Sequence, residues 1–277
     1  MNIMQHTEET FEGKNGIKLF SQSWTPDGKK KATLIIVATL HDHSGRYAWM
    51  AKELARQGYA VYGFDPRGIG KSEGKPQWVE SFNDYLEDLD RFVKLVQSKE
   101  TSIPLFIFGW CMSGNIVASY ALGNKTGITG VILSSPSLKY HNNTTASIIK
   151  FFGTVLPNLG IPHPPYKYFS RDTKAVAEVE NDPLISKKRV PAKTLLGIVR
   201  TREKLLAEAE KFDIPLLLMQ GTADKIVDPE GTRLFYEHAG SADKTLKLYE
   251  GFYHALFLEP EKQTVLNDMS EWLKKHS

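Results

Sequence analysis

Residues Ile103 to Gly123 read IPLFIFGWCMSGNIVASYALG. An apolar run the length of a buried strand, "PLFIF", meets a helical stretch of small residues, "SGNIVASYAL", across Gly109, Trp110, Cys111 and Met112. A strand that turns so abruptly into a helix displays the residue at its bend. So tight a turn needs small neighbours, and Gly109, Ser113 and Gly114 supply them. Cys111 stands at that bend. The residues leave two readings of it: a thiol nucleophile beside a helix N-terminus, or a buried apolar filler of the kind solitary cysteines often are. Its place at the bend favours the nucleophile.

On the N-terminal side, "ATLIIVATL" (Ala32 to Leu40) and "YAVYGFD" (Tyr59 to Asp65) are continuous apolar runs, the mark of strands buried on both faces. Between them, "RYAWMAKELARQG" sets Tyr47, Met50, Ala51 and Leu54 at helical spacing, with Gly58 as the stop. "SFNDYLEDLDRFVKLVQS" carries Phe82, Tyr85, Leu89, Phe92 and Val96 on one stripe behind Ser81, a plausible helix start. On the C-terminal side come the strands "GVILSS" and "IPLLLMQG", a helix near "PEGTRLFYEHAG", the strand "KTLKLYEG" and a last helix "EKQTVLNDMSEWLKKH". This alternation predicts an α/β fold, with a mostly parallel central sheet and helices on both faces. It lapses from Ser137 to about Glu208, where Pro-rich turns ("LGIPHPPY") join helical pieces without a clear strand. The expected organisation is a core formed by residues 1–136 and 209–277, interrupted by a helical cap or lid at residues 137–208.

Composition narrows the partners. With 277 residues, 41% hydrophobic and 24% charged, the chain is an ordinary globular one. A net charge of +3 is too small to argue for nucleic acid, and the lysines of "PDGKKKA" read as a solvated turn. One cysteine rules out an internal disulfide and fits a reducing compartment. "MNIMQHTEETFEG" lacks the apolar core of a signal peptide, and no run approaches the ~20 apolar residues of a spanning helix, so a cytoplasmic location is expected.

Acyl transfer needs a nucleophile, a base, a group that orients the base, and donors for the developing oxyanion. In an open α/β sheet these belong in loops at the C-terminal ends of strands. Cys111 sits in one such loop. His254, in "GFYHALF", follows the strand "KTLKLYEG" and is read as opening the last helix; among eight histidines it is the preferred base. Asp224 and Asp228 share the loop after "PLLLMQ". Asp224, nearer the strand end, is chosen to orient His254, which leaves Asp228 as a turn or helix cap. The oxyanion donors expected from position are the backbone N–H groups of Leu40 and Met112. His41 is a possible auxiliary, either a second imidazole for proton transfer or a solvated loop residue. Trp110 and Leu40 would wall the pocket for an acyl or aromatic group. His41, Asp42 and His43 are too compact for a metal site, and no cofactor loop is present, so neither metal nor cofactor is expected.

Taken together, "HSGRY", "GFDPRGIGKSEG", "GVILSSPSL", "NDPLI", "LLLMQGTADKIVDPEG" and "KLYEGFYHALF" make the chain resemble α/β-hydrolases of the monoacylglycerol lipase type over nearly its whole length. The resemblance implies the α/β-hydrolase fold, carries the family's acid and histidine onto Asp224 and His254, and places its oxyanion donors at Leu40 and Met112. It also implies a lid, whose "IIKFFGTVLPNLGI" resembles a surface that guides acyl chains or touches a membrane. Simple packing of that segment on the core is an equal alternative.

Three departures gather at the centre. Ala38-Thr39-Leu40-His41 stands where the family has His-Gly-x-Gly. Asp65-Pro66-Arg67-Gly68-Ile69-Gly70 replaces Asp-His-Arg-Gly-His-Gly. Gly109-Trp110-Cys111-Met112-Ser113-Gly114 replaces Gly-His-Ser-Met-Gly-Gly. Decay of a dead enzyme would scatter more widely, so the pocket reads as repurposed, by natural divergence or by design. The leading expectation is a carboxylic ester hydrolase with a Cys111–His254–Asp224 triad and a thioester acyl-enzyme, acting on activated or apolar acyl esters. Acyl transfer to another acceptor and non-catalytic binding of an apolar ligand are the alternatives.

Overall fold

The computed structural model describes residues 4–123 and 126–277. The elements run β1 (Met4–Glu12), β2 (Lys18–Pro26), β3 (Ala32–Val37), α1 (Ala48–Arg56), β4 (Tyr59–Phe64), α2 (Phe82–Lys99), β5 (Leu105–Trp110), α3 (Met112–Gly123) and β6 (Gly130–Ser134). There follow α4 (Asn143–Val155), β7 (Gly160–Ile161), α5 (Thr173–Asn181), β8 (Val190–Pro191), α6 (Ala192–Ala207), β9 (Leu216–Gly221), α7 (Pro229–His238), β10 (Lys244–Tyr249) and α8 (Lys262–His276).

Eight strands form one sheet in the order β1-β2-β4-β3-β5-β6-β9-β10. From β4 to β10 every pairing is parallel. All residues of β3, β4, β5, β6 and β9 are buried, as their unbroken apolar runs require. Alternate side chains feed two cores. Ile35, Ile107 and Leu218 pack with α2, α3 and α7 through Leu89, Ile116 and Phe235. Leu34, Phe106 and Leu217 pack with α1 and α8 through Leu54 and Met269. Each such side chain contributes about 1.5–3 kcal/mol on burial. The predicted helix start at Ser81 is a full capping box: Ser81 accepts from Asn83 N–H, while Asp84 accepts from Ser81 N–H.

Three features differ from the sequence reading. The N-terminal strands β1 and β2 pair antiparallel with one another, and β2 pairs antiparallel with β4. As the outermost strand, β1 buries only Phe11, so it lacks an apolar run to betray it. Between β6 and β9 stand α4, α5 and α6 with one short antiparallel pair, β7–β8, too brief for periodicity to register. Helix α8 begins at Lys262, after Pro260, so His254 lies in a loop and does not open the helix. Helix α4 lies on α6 close enough that a Cβ at Gly153 would sit 2.6 Å from Leu196 Cβ. Its other face leaves Ile148, Phe151 and Val155 more than half exposed. No helix among the described residues is long and apolar enough to cross a membrane.

Candidate active site

The bend after β5 is built as its sequence requires. Cys111 has φ +55°, in the left-handed region that costs a side-chain-bearing residue roughly 1–2 kcal/mol. Surrounding bonds hold it there. Cys111 N–H donates to Ser134 O at 3.0 Å, and Ser137 N–H donates to Cys111 O at 3.2 Å. The Ser113 hydroxyl accepts from Trp110 N–H at 2.9 Å and donates to Trp110 O at 2.8 Å. Gly109 is obligatory, because a Cβ there would meet Ser113 O at 2.4 Å. Cys111 is partly exposed and stands immediately before α3.

His254 and Asp224 converge on this bend from the ends of β10 and β9. His254 Nδ1 donates to Asp224 Oδ2 at 2.8 Å, with both side chains essentially buried. Asp224 is fully engaged: Oδ2 also accepts from Gln220 Nε2 at 3.0 Å, while Oδ1 accepts from Ile226 and Val227 N–H at 2.8 and 3.0 Å. Thr232 donates to Gln220 Oε1 and fixes that amide in turn. Burial works against a charged imidazole, but the Asp224 carboxylate and the Cys111 sulfur outweigh it. Asp224 also hydrogen-bonds the ring, and His254 is pushed up to about 10. The imidazole is thus bonded to the acid and shares a cavity with the thiol. Asp228 caps α7, accepting from Glu230 N–H, and pairs with Lys139.

The other side of the thiol carries the altered loop. Neither Leu40 N–H nor Met112 N–H finds an acceptor among the described residues. Thr39 Oγ1 accepts from Ser113 N–H at 3.3 Å, which ties this loop to α3. His41 has φ +58° and is 7% exposed, which removes the solvated reading. Its Nδ1 lies 3.1 Å from Gln77 Nε2 and 3.3 Å from Ser186 O, and its ring lies tilted against His163, centroids 4.6 Å apart. Burial, helped by His163, pushes His41 down to about 4. Burial also pushes Asp42 up to about 6, against the pull of Arg46.

Cys111 and His254 line a cavity of about 360 Å³, walled by Leu40, Trp110, Tyr140 and Ile198. A second chamber of about 340 Å³ is lined by polar groups that include Arg46 and Asp182. His41, Trp110 and Phe169 line both. Trp110 is more than a wall: its indole N–H donates to His254 O at 3.0 Å, and the two rings lie 5.1 Å apart.

Thus Cys111, His254 and Asp224 meet, Leu40 and Met112 flank them, and Trp110 and His41 border the cavity. Gln220, Thr232, Thr39 and Gln77 were not anticipated. Gln220 alone left a signal, as the one polar residue in the run "LLLMQ". Among the described residues no group of three or more His, Cys, Asp or Glu is placed to hold a metal ion.

Residues 28–261 match the model of a family described as Serine aminopeptidase, S33. A monoacylglycerol lipase of Mycolicibacterium smegmatis is 28% identical over 273 residues, 98% of each chain. The monoglyceride lipase of Rattus norvegicus is 33% identical over 266 residues, 94% of this chain and 88% of the relative. The solved structure of a soluble variant of the Saccharomyces cerevisiae monoglyceride lipase, in complex with a substrate analog, superposes with a TM-score of 0.88 and 28% identity. That match covers 100% of this chain and 97% of the other.

Proposed function

The chain belongs to the serine aminopeptidase S33 family of α/β-hydrolases and is monoacylglycerol lipase-like, and from that premise we propose that it hydrolyses carboxylic esters through Cys111. The observation that carries the reading is Cys111 held at φ +55°, with His254 lining the same cavity and Asp224 locking that imidazole at 2.8 Å.

The thiol proton passes to His254, and Cys111 Sγ attacks the ester carbonyl. The backbone N–H groups of Leu40 and Met112 receive the negative oxygen. As the tetrahedral intermediate collapses, the C–O bond breaks and His254 hands its proton to the leaving alkoxide. A thioester remains. Water, deprotonated by His254, attacks it and frees the acid and the thiol. Asp224 fixes the ring and stabilises its charged form. Pushed up to about 10, His254 takes the thiol proton readily and passes it on to the alkoxide, a stronger base.

The mostly apolar wall around Cys111 suits acyl esters, acylglycerols among them. Residues 137–208 serve as the lid, and the exposed apolar face of α4 guides acyl chains or meets a membrane surface transiently. A reducing, cytoplasmic setting suits a lone working thiol.

The test is an activated aryl ester. A release burst with an acyl adduct on Cys111 is expected, and Cys111→Ala should lose both, with turnover falling at least about a thousandfold. Undiminished turnover by Cys111→Ala overturns the reading.

A further inference from the structure

Two of the three departures from the family pattern put bulky rings where the reacting chamber meets its neighbour. His41 stands where the family has a glycine, and Trp110 where it has a histidine. Each lines both the apolar cavity of about 360 Å³ and the polar one of about 340 Å³, and Phe169 is the third residue the two share. Side chains that line two cavities stand between them. These form a continuous series of rings. Trp110 lies edge-on to Phe169 at 5.8 Å, Phe169 to Tyr166 at 5.3 Å, and Tyr166 to His41 at 6.1 Å. All are distances of direct aromatic packing, and all four residues are buried. The indole cannot turn aside without giving up its bond to His254 O.

The reacting groups stand on one side of this partition. Cys111, His254, Leu40 and Met112 line the apolar chamber, and none of them lines the polar one. The side chains with most to offer a hydroxyl stand on the other. Asp42, Arg46 and Asp182 line the polar chamber and not the apolar one. A buried hydroxyl is welcome only where it finds a hydrogen-bond partner. While the rings stand, an ester on Cys111 cannot offer its alcohol to Arg46 or Asp182.

We propose that Trp110 is a specificity-determining residue: with Phe169 and His41 it shuts the polar chamber off from Cys111, so that the protein selects esters by their acyl group and gives a polyol alcohol no advantage over a small apolar one. The substrate class is acyl esters recognised without help from a polar alcohol part. The assignment rests on reading the Cys111 cavity as the ester site, but its test does not require Cys111 to react.

Binding of two inert ligands, the octanamides of isopropylamine and of serinol, is measured by calorimetry for the unaltered protein, Trp110→Ala, Phe169→Ala and Trp110→Phe. The second ligand differs from the first only by a hydroxyl on each methyl group. The unaltered protein should bind the diol no more tightly than the isopropyl amide. Opening the wall by Trp110→Ala should shift the affinity ratio towards the diol by about tenfold or more, as its hydroxyls gain partners. Phe169→Ala opens the same wall without touching the bend at Cys111, and it should shift the ratio the same way even if Trp110→Ala fails to fold. Trp110→Phe keeps a ring in the wall and loses only the indole donor, so it should keep the unaltered ratio. Tighter binding of the diol by the unaltered protein, no shift in either opened variant, an equal shift in Trp110→Phe, or failure of both amides to bind would each overturn the proposal. Failure of the aryl-ester burst, by contrast, bears on Cys111 alone.

Discussion

The two flanks of Cys111 treat their polar atoms in opposite ways. On the His254–Asp224 flank, Asp224 receives four donors, Gln220 is fastened by Thr232, and the His254 ring is bonded to Asp224. On the Leu40–His41 flank, His41 and Gln77 both have positive φ, and His41 Nε2 and Gln77 Oε1 are buried without partners among the described residues. A satisfied network holds one geometry whether or not a ligand is present. An unsatisfied one stores free energy that a suitable ligand can release. The first flank is fastened throughout, and the second is not.

The largest effect that could break this contrast lies in Asp224. Asp224→Asn removes the charge that holds His254 up and should cut ester turnover on the order of a thousandfold, about 4 kcal/mol. Its alkylation by iodoacetamide should become slower than that of the unaltered protein. A mild loss would mean the satisfied flank is scaffold rather than machinery.

Next is the pH dependence of stability on the other flank. His41 is pushed down from 6.5 to about 4, so between those values the unfolded chain binds the proton and the folded one does not. The stability is present above pH 6.5 and is lost as pH falls towards 4, on the order of 3 kcal/mol in all. Asp42, raised from 3.8 to about 6, acts with the opposite sign: the folded state binds its proton first, and stability falls as pH rises through that window. Urea titrations from pH 7 to 4 should show a shallower acid loss in His41→Gly than in the unaltered protein. Identical slopes would remove His41 from the account.

A third measurement sharpens the contrast. Gln220→Leu strips one donor from Asp224 and leaves the Thr232 hydroxyl buried and unpaired, so it should cost about 1–3 kcal/mol of stability by urea unfolding. Turnover should fall severalfold, mainly in kcat, because the imidazole is held less firmly. The smallest change is Trp110→Phe, which deletes one hydrogen bond to the His254 loop. About 1 kcal/mol in stability and a modest drop in kcat are expected, and restoration by no other aromatic would identify the indole N–H as the cause.

Much of this was legible in the chain. Strands buried on both faces announce themselves as "ATLIIV" and "PLFIFG" do, and the bend at Cys111 was marked by its small neighbours. Asp224 and His254 could be chosen because strand ends are where such a sheet places its chemistry. What stayed hidden depends on through-space partners. "ATLHDH" sets His41 where the family has a glycine, which hints at its glycine-like φ, but its contacts with Gln77, Ser186 and His163 leave no mark in the sequence. The bond from Trp110 to His254 O joins residues 144 apart in sequence. The edge strand β1 has a mostly polar, exposed face that no apolar pattern marks.

The hydroxyl of Thr39 carries one last consequence. It latches Ser113 N–H at 3.3 Å, so the segment bearing Leu40 and the helix opened by Met112 are fastened together like the jaws of a caliper. The width of that bite is set by a side chain rather than by main-chain contact, and a β-branched side chain is stiff about its first torsion. A single methyl group thereby governs how far the jaws can part, and trimming it to serine would keep the latch while loosening its pivot.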